Sequence, residues 1–271
     1  MREYKKADDE WEVLGDEKEG IHKNKTWMEH IKTGKTALFK PDTELSESIV
    51  EYEVFKISEN LQIPCAEIEL VEFSGLKGCL SYHYRHKLVK PGDDIVFIHA
   101  DDLYEKGDMV TYRSKDSNKK SLSPIPEITL EIVRSRIPQI EKSVVDMLFL
   151  DCLVSNRDRH GYNWDIAMTE EGQAVGIAPL FDHGYSLWHK YIPEQDDCVM
   201  PWADDVELTH YAMFETLIER HSEQIKNLLD KCAKLELIDF VKPRFKKMLE
   251  IYDRVIDGRN EKAPCKILQK R

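Results

Sequence analysis

The stretch that decides how this chain is read runs from Leu153 to Ala167, LVSNRDRHGYNWDIA. It follows residues 140–154, which are apolar on nearly every face (Val144, Val145, Met147, Leu148, Phe149, Leu150 and Leu153) and so predict a helix at the centre of a core. Directly after that helix come Arg157, Asp158, Arg159, His160 and Asp165. Charges at the mouth of a core helix are partly desolvated, a cost usually met where chemistry is done. The stretch is therefore the first candidate for a functional site.

Downstream, WDIAM, the turn TEEGQ and AVGIAPLFD read as a hairpin, which places Asp182 on its far strand in LFDHGYSL. The hairpin brings Asn163 and Asp182 together. An amide oxygen and a carboxylate are hard ligands that suit magnesium, a cation that keeps several of its waters. Asp158 stands apart from them and can orient a hydroxyl. Residues 207–232 and 235–256 read as amphipathic helices, with a kink expected at Pro243.

Upstream, the first forty residues are polar until KTALFKP, where 36–39 reads as a short strand ended by Pro41. Val50, Val54, Ile57 and Leu61 then recur at helical spacing, with Glu47 and Glu51 beside that stripe, and predict a helix over 46–61. CAEIELVEF alternates, SGLKG turns, and CLSYHY supplies a second strand. Residues 90–126 are loop-rich, and a boundary between two lobes is expected within 97–114. The reading is α+β: a small sheet-containing N-lobe over residues 1–100 and a mainly helical C-lobe over 101–271.

Composition narrows the partners. The 271 residues are 41% hydrophobic, enough to bury a real core, and carry 39 Lys plus Arg against 51 Asp plus Glu, a net charge of -12. That balance disfavours direct binding to nucleic acid or to an anionic membrane. The six cysteines are scattered without a Cys-x-x-Cys pair, so neither zinc nor a disulfide framework is suggested, and reduced thiols fit a cytoplasmic setting. No leader-like apolar segment opens the chain, and no window is apolar enough for a membrane span.

A lysine on an early strand, a glutamate on the next helix, two metal ligands and a carboxylate are what phosphoryl transfer requires. The segments Asp158-Arg159-His160-x-x-Asn163 and Phe181-Asp182-His183-Gly184 resemble the catalytic and metal-binding segments of the HipA-like serine/threonine kinases. That family is related more distantly to phosphatidylinositol kinases and to ordinary protein kinases. The resemblance extends over roughly residues 20–256 and takes in ALFKP, the glutamate-bearing helix and CLSYHY.

The resemblance implies a two-lobed protein-kinase-like fold and an enzyme dependent on ATP and Mg2+. It makes Asp158 the catalytic aspartate with His160 beside it, Asn163 and Asp182 the magnesium ligands, and Lys40 the lysine on the ATP phosphates. Glu51 is the chosen ion-pair partner of Lys40, with Glu47 a rival. Ser81, Tyr82, His83 and Tyr84 supply backbone groups for adenine. In the phosphate-covering loop the family often carries a serine that becomes phosphorylated. No serine precedes Ser46 here, and EGIHKNKT offers Lys23, Lys25 and Thr26 instead. The serine that self-inactivation by that route uses has no counterpart in this stretch. Longer members carry a further amino-terminal subdomain, and this chain reads as the kinase core alone or a short relative. The resemblance also implies a protein substrate among translation components, such as aminoacyl-tRNA synthetases, and a separate helix-turn-helix antitoxin.

Plainer readings stand beside these. Asp-Arg-His-Gly alone fits a salt-bridged turn, and Lys40 alone a solvated lysine. Glu194, Asp196, Asp197, Asp204 and Asp205 lack ligand spacing and read as a solvated loop. His99 with Asp101 and Asp102 reads as loop polar groups, and the tail KAPCKILQKR as a frayed terminus. An inositol-lipid or small-molecule kinase is the alternative enzyme. A catalytically idle nucleotide-binding toxin or regulator, acting by complex formation, is the alternative outside enzymes.

Overall fold

Alternation of period two builds the first sheet. Its strands are β1 (Lys5–Lys6), β2 (Trp11–Gly15), β3 (Thr26–His30), β4 (Thr36–Pro41), β5 (Ile68–Phe73) and β6 (Leu76–Tyr82), in the spatial order β1-β5-β6-β4-β3-β2. The chain is seen here in a computed structural model that describes residues 3–15, 25–42, 46–84, 95–103, 110–113, 120–123, 126–187 and 210–262. In β4, Ala37 and Phe39 enter a small core with Trp11, Met28, Val71 and Leu80, so Leu38 and Lys40 point to the opposite face. Gly78 of β6 lies opposite Pro41, and a Cβ on it would stand 2.3 Å from the Lys40 carbonyl oxygen. Only glycine lets the two backbones approach so closely.

Three of these strands, β1 to β3, precede the strand read at 36–39, in a stretch where the sequence reading found none. The reason is visible in β3, where Met28 alone is fully buried and every neighbour is half-exposed. Helix α1 (Glu47–Leu61) follows β4, and its Val54, Ile57 and Leu61 join the main core. Its first turn is capped from outside: the Ser48 N–H donates to Asp42 Oδ1 at 2.9 Å.

The second part contains β7 (Ile95–His99), β8 (Val110–Arg113), β9 (Lys120–Ser123), α2 (Pro126–Arg136), α3 (Glu141–Val154), β10 (Asp165–Thr169), β11 (Ala174–Ile177), α4 (His210–Cys232) and α5 (Val241–Lys262). Helix α3 is the expected central helix, with Val144, Val145, Leu148, Phe149 and Leu153 at or near zero exposure. Among the described residues, strands β8 and β9 pair with each other, and the remaining strands form a sheet in the order β11-β10-β7.

Three expectations need correction. Strand β7 falls in the stretch taken as loop and within the first hundred residues. It pairs with β10 from Asp165↔His99 to Thr169↔Ile95, so it shares a sheet with the strands that follow α3. Asp182 is not on the hairpin, because β11 ends at Ile177. Pro243 sits in the first turn of α5, where its missing N–H costs nothing, and the break in helical geometry is at His221 of α4 (φ -137°, ψ 39°). Asp182 is reached through a crossing that joins the two parts. Cys65 and Leu180 form a parallel bridge, Ala66 N–H donates to the Leu180 carbonyl at 2.8 Å, and Leu180 N–H donates to the Pro64 carbonyl at 2.9 Å. Among the described residues, no helix is long and apolar enough to cross a membrane.

Candidate active site

Between the first sheet and the β7–β10 pair lies a cleft of about 430 Å³, a volume suited to a small molecule. Lys40 and Lys25 reach it from the sheet, and Asn163 and Asp182 from the second part. Alternation along β4 places Lys40 there while Phe39 faces the core.

Lys40 is the hub of this end. Its Nζ lies 2.6 Å from Glu51 Oε1 and 2.8 Å from Asp182 Oδ1. Lys25 Nζ reaches the same Asp182 oxygen at 3.4 Å. Glu51 is almost fully buried, and its second oxygen accepts the backbone N–H of His183 at 3.1 Å. The structure thus pairs Lys40 with Glu51, while Glu47 lies one helical turn away beside Gly184. Burial opposes charge on both Lys40 and Asp182, yet their mutual attraction wins. The Lys40 ammonium is held well above the usual lysine range, and the Asp182 carboxyl well below the usual carboxylate range by Lys40 and Lys25. Asp182 takes the left-handed backbone conformation (φ 57°).

At the other segment, the Asn163 amide nitrogen donates to the Asp158 carbonyl at 2.6 Å and to its Oδ2 at 3.2 Å. The amide oxygen is the atom of Asn163 that Asp158 does not engage. The Asp158 N–H donates to Asn156 Oδ1 at 3.1 Å, which fixes the loop from behind. His160 Nε2 stands 3.7 Å from Asp158 Oδ1, while its Nδ1 accepts the Tyr162 N–H. Burial lowers the His160 pKa and favours the neutral ring. Gly161 passes so near Asp101 that a Cβ would meet its Cα at 2.7 Å, which keeps this turn tight.

The charges that opened the sequence reading are explained by Arg159. It turns inward and is nearly sealed from solvent. Nε and Nη2 pair with the two oxygens of Asp151 on α3, and Nη1 donates to the carbonyls of Asn163 and Phe181. Nη2 also lies 3.3 Å from His183 Nδ1. One guanidinium therefore ties the central helix to both loops of the site. No local signal reveals it, because Asp151 lies in an apolar helix.

Ser81, Tyr82, His83 and Tyr84 line the cleft. The N–H groups of Tyr82 and His83 are used on the Glu67 and Thr36 carbonyls at 2.9 and 3.0 Å. The Tyr84 ring beside them stacks on Phe181 with centroids 5.9 Å apart. Sequence reasoning missed the cleft residues Trp27 and Leu38, gave no role to Tyr162, Asp165 or Phe181 although all three lie in the segments it singled out, and took His99 as a loop residue. Lys23 and the acidic cluster from Glu194 to Asp205 lie outside the described residues. Among the described residues no group of three or more His, Cys, Asp or Glu side chains converges as a metal cage. Asn163 and Asp182 still fit magnesium, which binds through few protein oxygens, and the neighbouring ammonium groups keep Asp182 ionised.

No curated protein sequence matches the chain. Among solved structures, the Helicobacter pylori proinflammatory kinase CtkA aligns over 95% of this chain and 100% of its own at 14% identity, with a TM-score of 0.58. HipA of Shewanella oneidensis MR-1, from a toxin–antitoxin system and solved with HipB and operator DNA, aligns over 83% of this chain at 15% identity and a TM-score of 0.52. The match spans 60% of that HipA chain. These likenesses show a protein-kinase-like fold, the two-lobed α+β architecture expected from the sequence. Residues 15–250 match the HipA-like C-terminal domain, and the chain belongs to that family.

Proposed function

We propose that the protein is an ATP- and magnesium-dependent phosphotransferase that acts on a serine or threonine hydroxyl of a protein. The observation that carries the reading is the placement of Lys40 between Glu51 and Asp182, in the cleft that Asn163 also lines. A lysine oriented by two carboxylates presents a fixed positive charge to phosphate oxygens. The Asn163 amide oxygen and the Asp182 carboxylate would hold the cation. Bound there, magnesium neutralises charge on the phosphates. Asp158, held by Asn163 and by its own N–H on Asn156, accepts the proton of the attacking hydroxyl. The stretch ending at Tyr84 receives the base.

A protein acceptor is favoured over a lipid by the net charge of -12, which repels an anionic surface and attracts a basic segment. The buried thiols of Cys65, Cys79, Cys152 and Cys232, which form no disulfide among the described residues, support the cytoplasmic expectation. The Shewanella complex supports the further expectation of a separate protein regulator.

The test is transfer of labelled phosphate from ATP to lysate proteins and to anionic liposomes, with wild type and Asp158→Asn. Wild type should label protein. The variant should lose about 100-fold or more of that transfer while keeping ATP affinity, since general-base removal costs that much. Equal loss of affinity and turnover would remove Asp158 from the proposed role. Labelled lipid without labelled protein would install the inositol-lipid alternative.

A further inference from the structure

Asp165 is a carboxylate 4% exposed, and both of its oxygens are occupied. Oδ1 lies 2.7 Å from His99 Nδ1, and Oδ2 accepts the Tyr84 hydroxyl. A buried carboxylate is costly unless paired, and one engaged at both oxygens orients its partners. The pairing follows from the sheet: His99, the last residue of β7, sits directly opposite Asp165, the first of β10.

His99 lines the cleft with its side chain 52% exposed. With Nδ1 given to Asp165, the nitrogen that remains for a ligand is Nε2. A neutral imidazole that donates Nδ1–H to a carboxylate presents Nε2 as an acceptor, the partner an alcohol O–H seeks.

Two contacts locate His99 along the cleft. Through Asp165 it is joined to Tyr84, at the end assigned to the base. Its ring packs on Tyr162 at 5.5 Å, and Tyr162 precedes Asn163, at the charged end. His99 therefore stands on the wall between the two ends, where the sugar of a nucleotide connects base to phosphates. We propose that His99, positioned by Asp165, accepts a hydrogen bond from a ribose hydroxyl and selects ribonucleotides over deoxyribonucleotides. The assignment rests on the nucleotide reading given above.

The experiment is calorimetric affinity of the full chain, with magnesium, for ATP, 2′-deoxy-ATP and 3′-deoxy-ATP, using wild type and His99→Ala. Wild type should bind at least one deoxynucleotide about tenfold more weakly than ATP, the worth of one well-made hydrogen bond. His99→Ala should bind ATP about tenfold more weakly and lose the discrimination. His99→Asn is the second variant, because its shorter amide still donates toward Asp165 and guards the fold while losing reach into the cleft; the same loss is expected. Discrimination by both variants equal to wild type would overturn the proposal and leave the nucleotide reading intact, as would the absence of discrimination in wild type. Failure of wild type to bind ATP would overturn both.

Discussion

Arg159 and Asp151 meet side-on in two hydrogen bonds, Nε to Oδ2 at 3.0 Å and Nη2 to Oδ1 at 3.1 Å, with both side chains nearly closed to water. Removing one partner of such a pair leaves a buried charge uncompensated, at a cost of about 3–5 kcal/mol. Arg159→Met or Asp151→Leu should lower unfolding stability by that amount in urea titrations. The double substitution should cost much less than the sum. Single variants within about 1 kcal/mol of wild type would show that the pair does not hold the site's two loops to the core helix.

Lys40→Met removes the hub of the charged end but leaves the backbone of β4 paired on both sides. Phosphotransfer should fall by about 100-fold or more, the scale of losing one preorganised electrostatic group. Circular dichroism should show the fold retained. Turnover near wild type would transfer the phosphate role to Lys25, which already reaches Asp182.

Asp182→Ala deletes the carboxylate assigned to magnesium. ATP affinity of wild type should rise when magnesium is added, and that gain should vanish in the variant. Calorimetry with and without the cation reads the difference directly. An undiminished magnesium effect in the variant would place the cation on other residues.

The buried ring of His183 gives a pH dependence. Burial first, then the Arg159 and Lys40 charges, hold its pKa well below 6.5. A neutral ring accepts from Arg159 at Nδ1 and lies with Nε2 3.8 Å from Cys65 Sγ; protonation would turn Nδ1–H against the guanidinium. Below pH 6.5 the unfolded chain therefore takes up a proton that the folded chain refuses. Stability should fall with pH, by about 1.4 kcal/mol per pH unit for this group. His160 and His221, also shifted down, act with the same sign. His183→Gln should flatten the slope by up to one proton in urea melts taken below pH 6.5, and an unchanged slope would assign the uptake elsewhere.

The chain's own pattern made helices α1 and α3 legible because each has a broad apolar face set against charge. The charged segments of the site were legible for a related reason: Asp158, Asn163 and Asp182 cluster close to that central helix in sequence. The partnership of Lys40 with Glu51 was also open to reading, since β4 and α1 are adjacent and helical spacing limits the choice to Glu47 or Glu51. What escaped is what depends on distant pairing. Strand β7 has no fully buried residue, so nothing in its pattern announces that it will pair with β10. His99 and Asp165 are 66 residues apart, and Arg159 finds Asp151 by turning back into the core. The faint strands β1 to β3 bury too few side chains to alternate clearly.

The crossing at residues 64–66 and 180 sets the mechanics of the cleft. Main-chain hydrogen bonds there are independent of side-chain identity and join the segment just after α1 to the segment just before Asp182. The two halves of the molecule cannot draw straight apart without breaking them. A relative motion of the two halves that keeps these bonds would be a rotation about Pro64 to Ala66 and Leu180. Glu51 and the His183 amide, bonded to each other and close in sequence to that crossing, would keep their register through it.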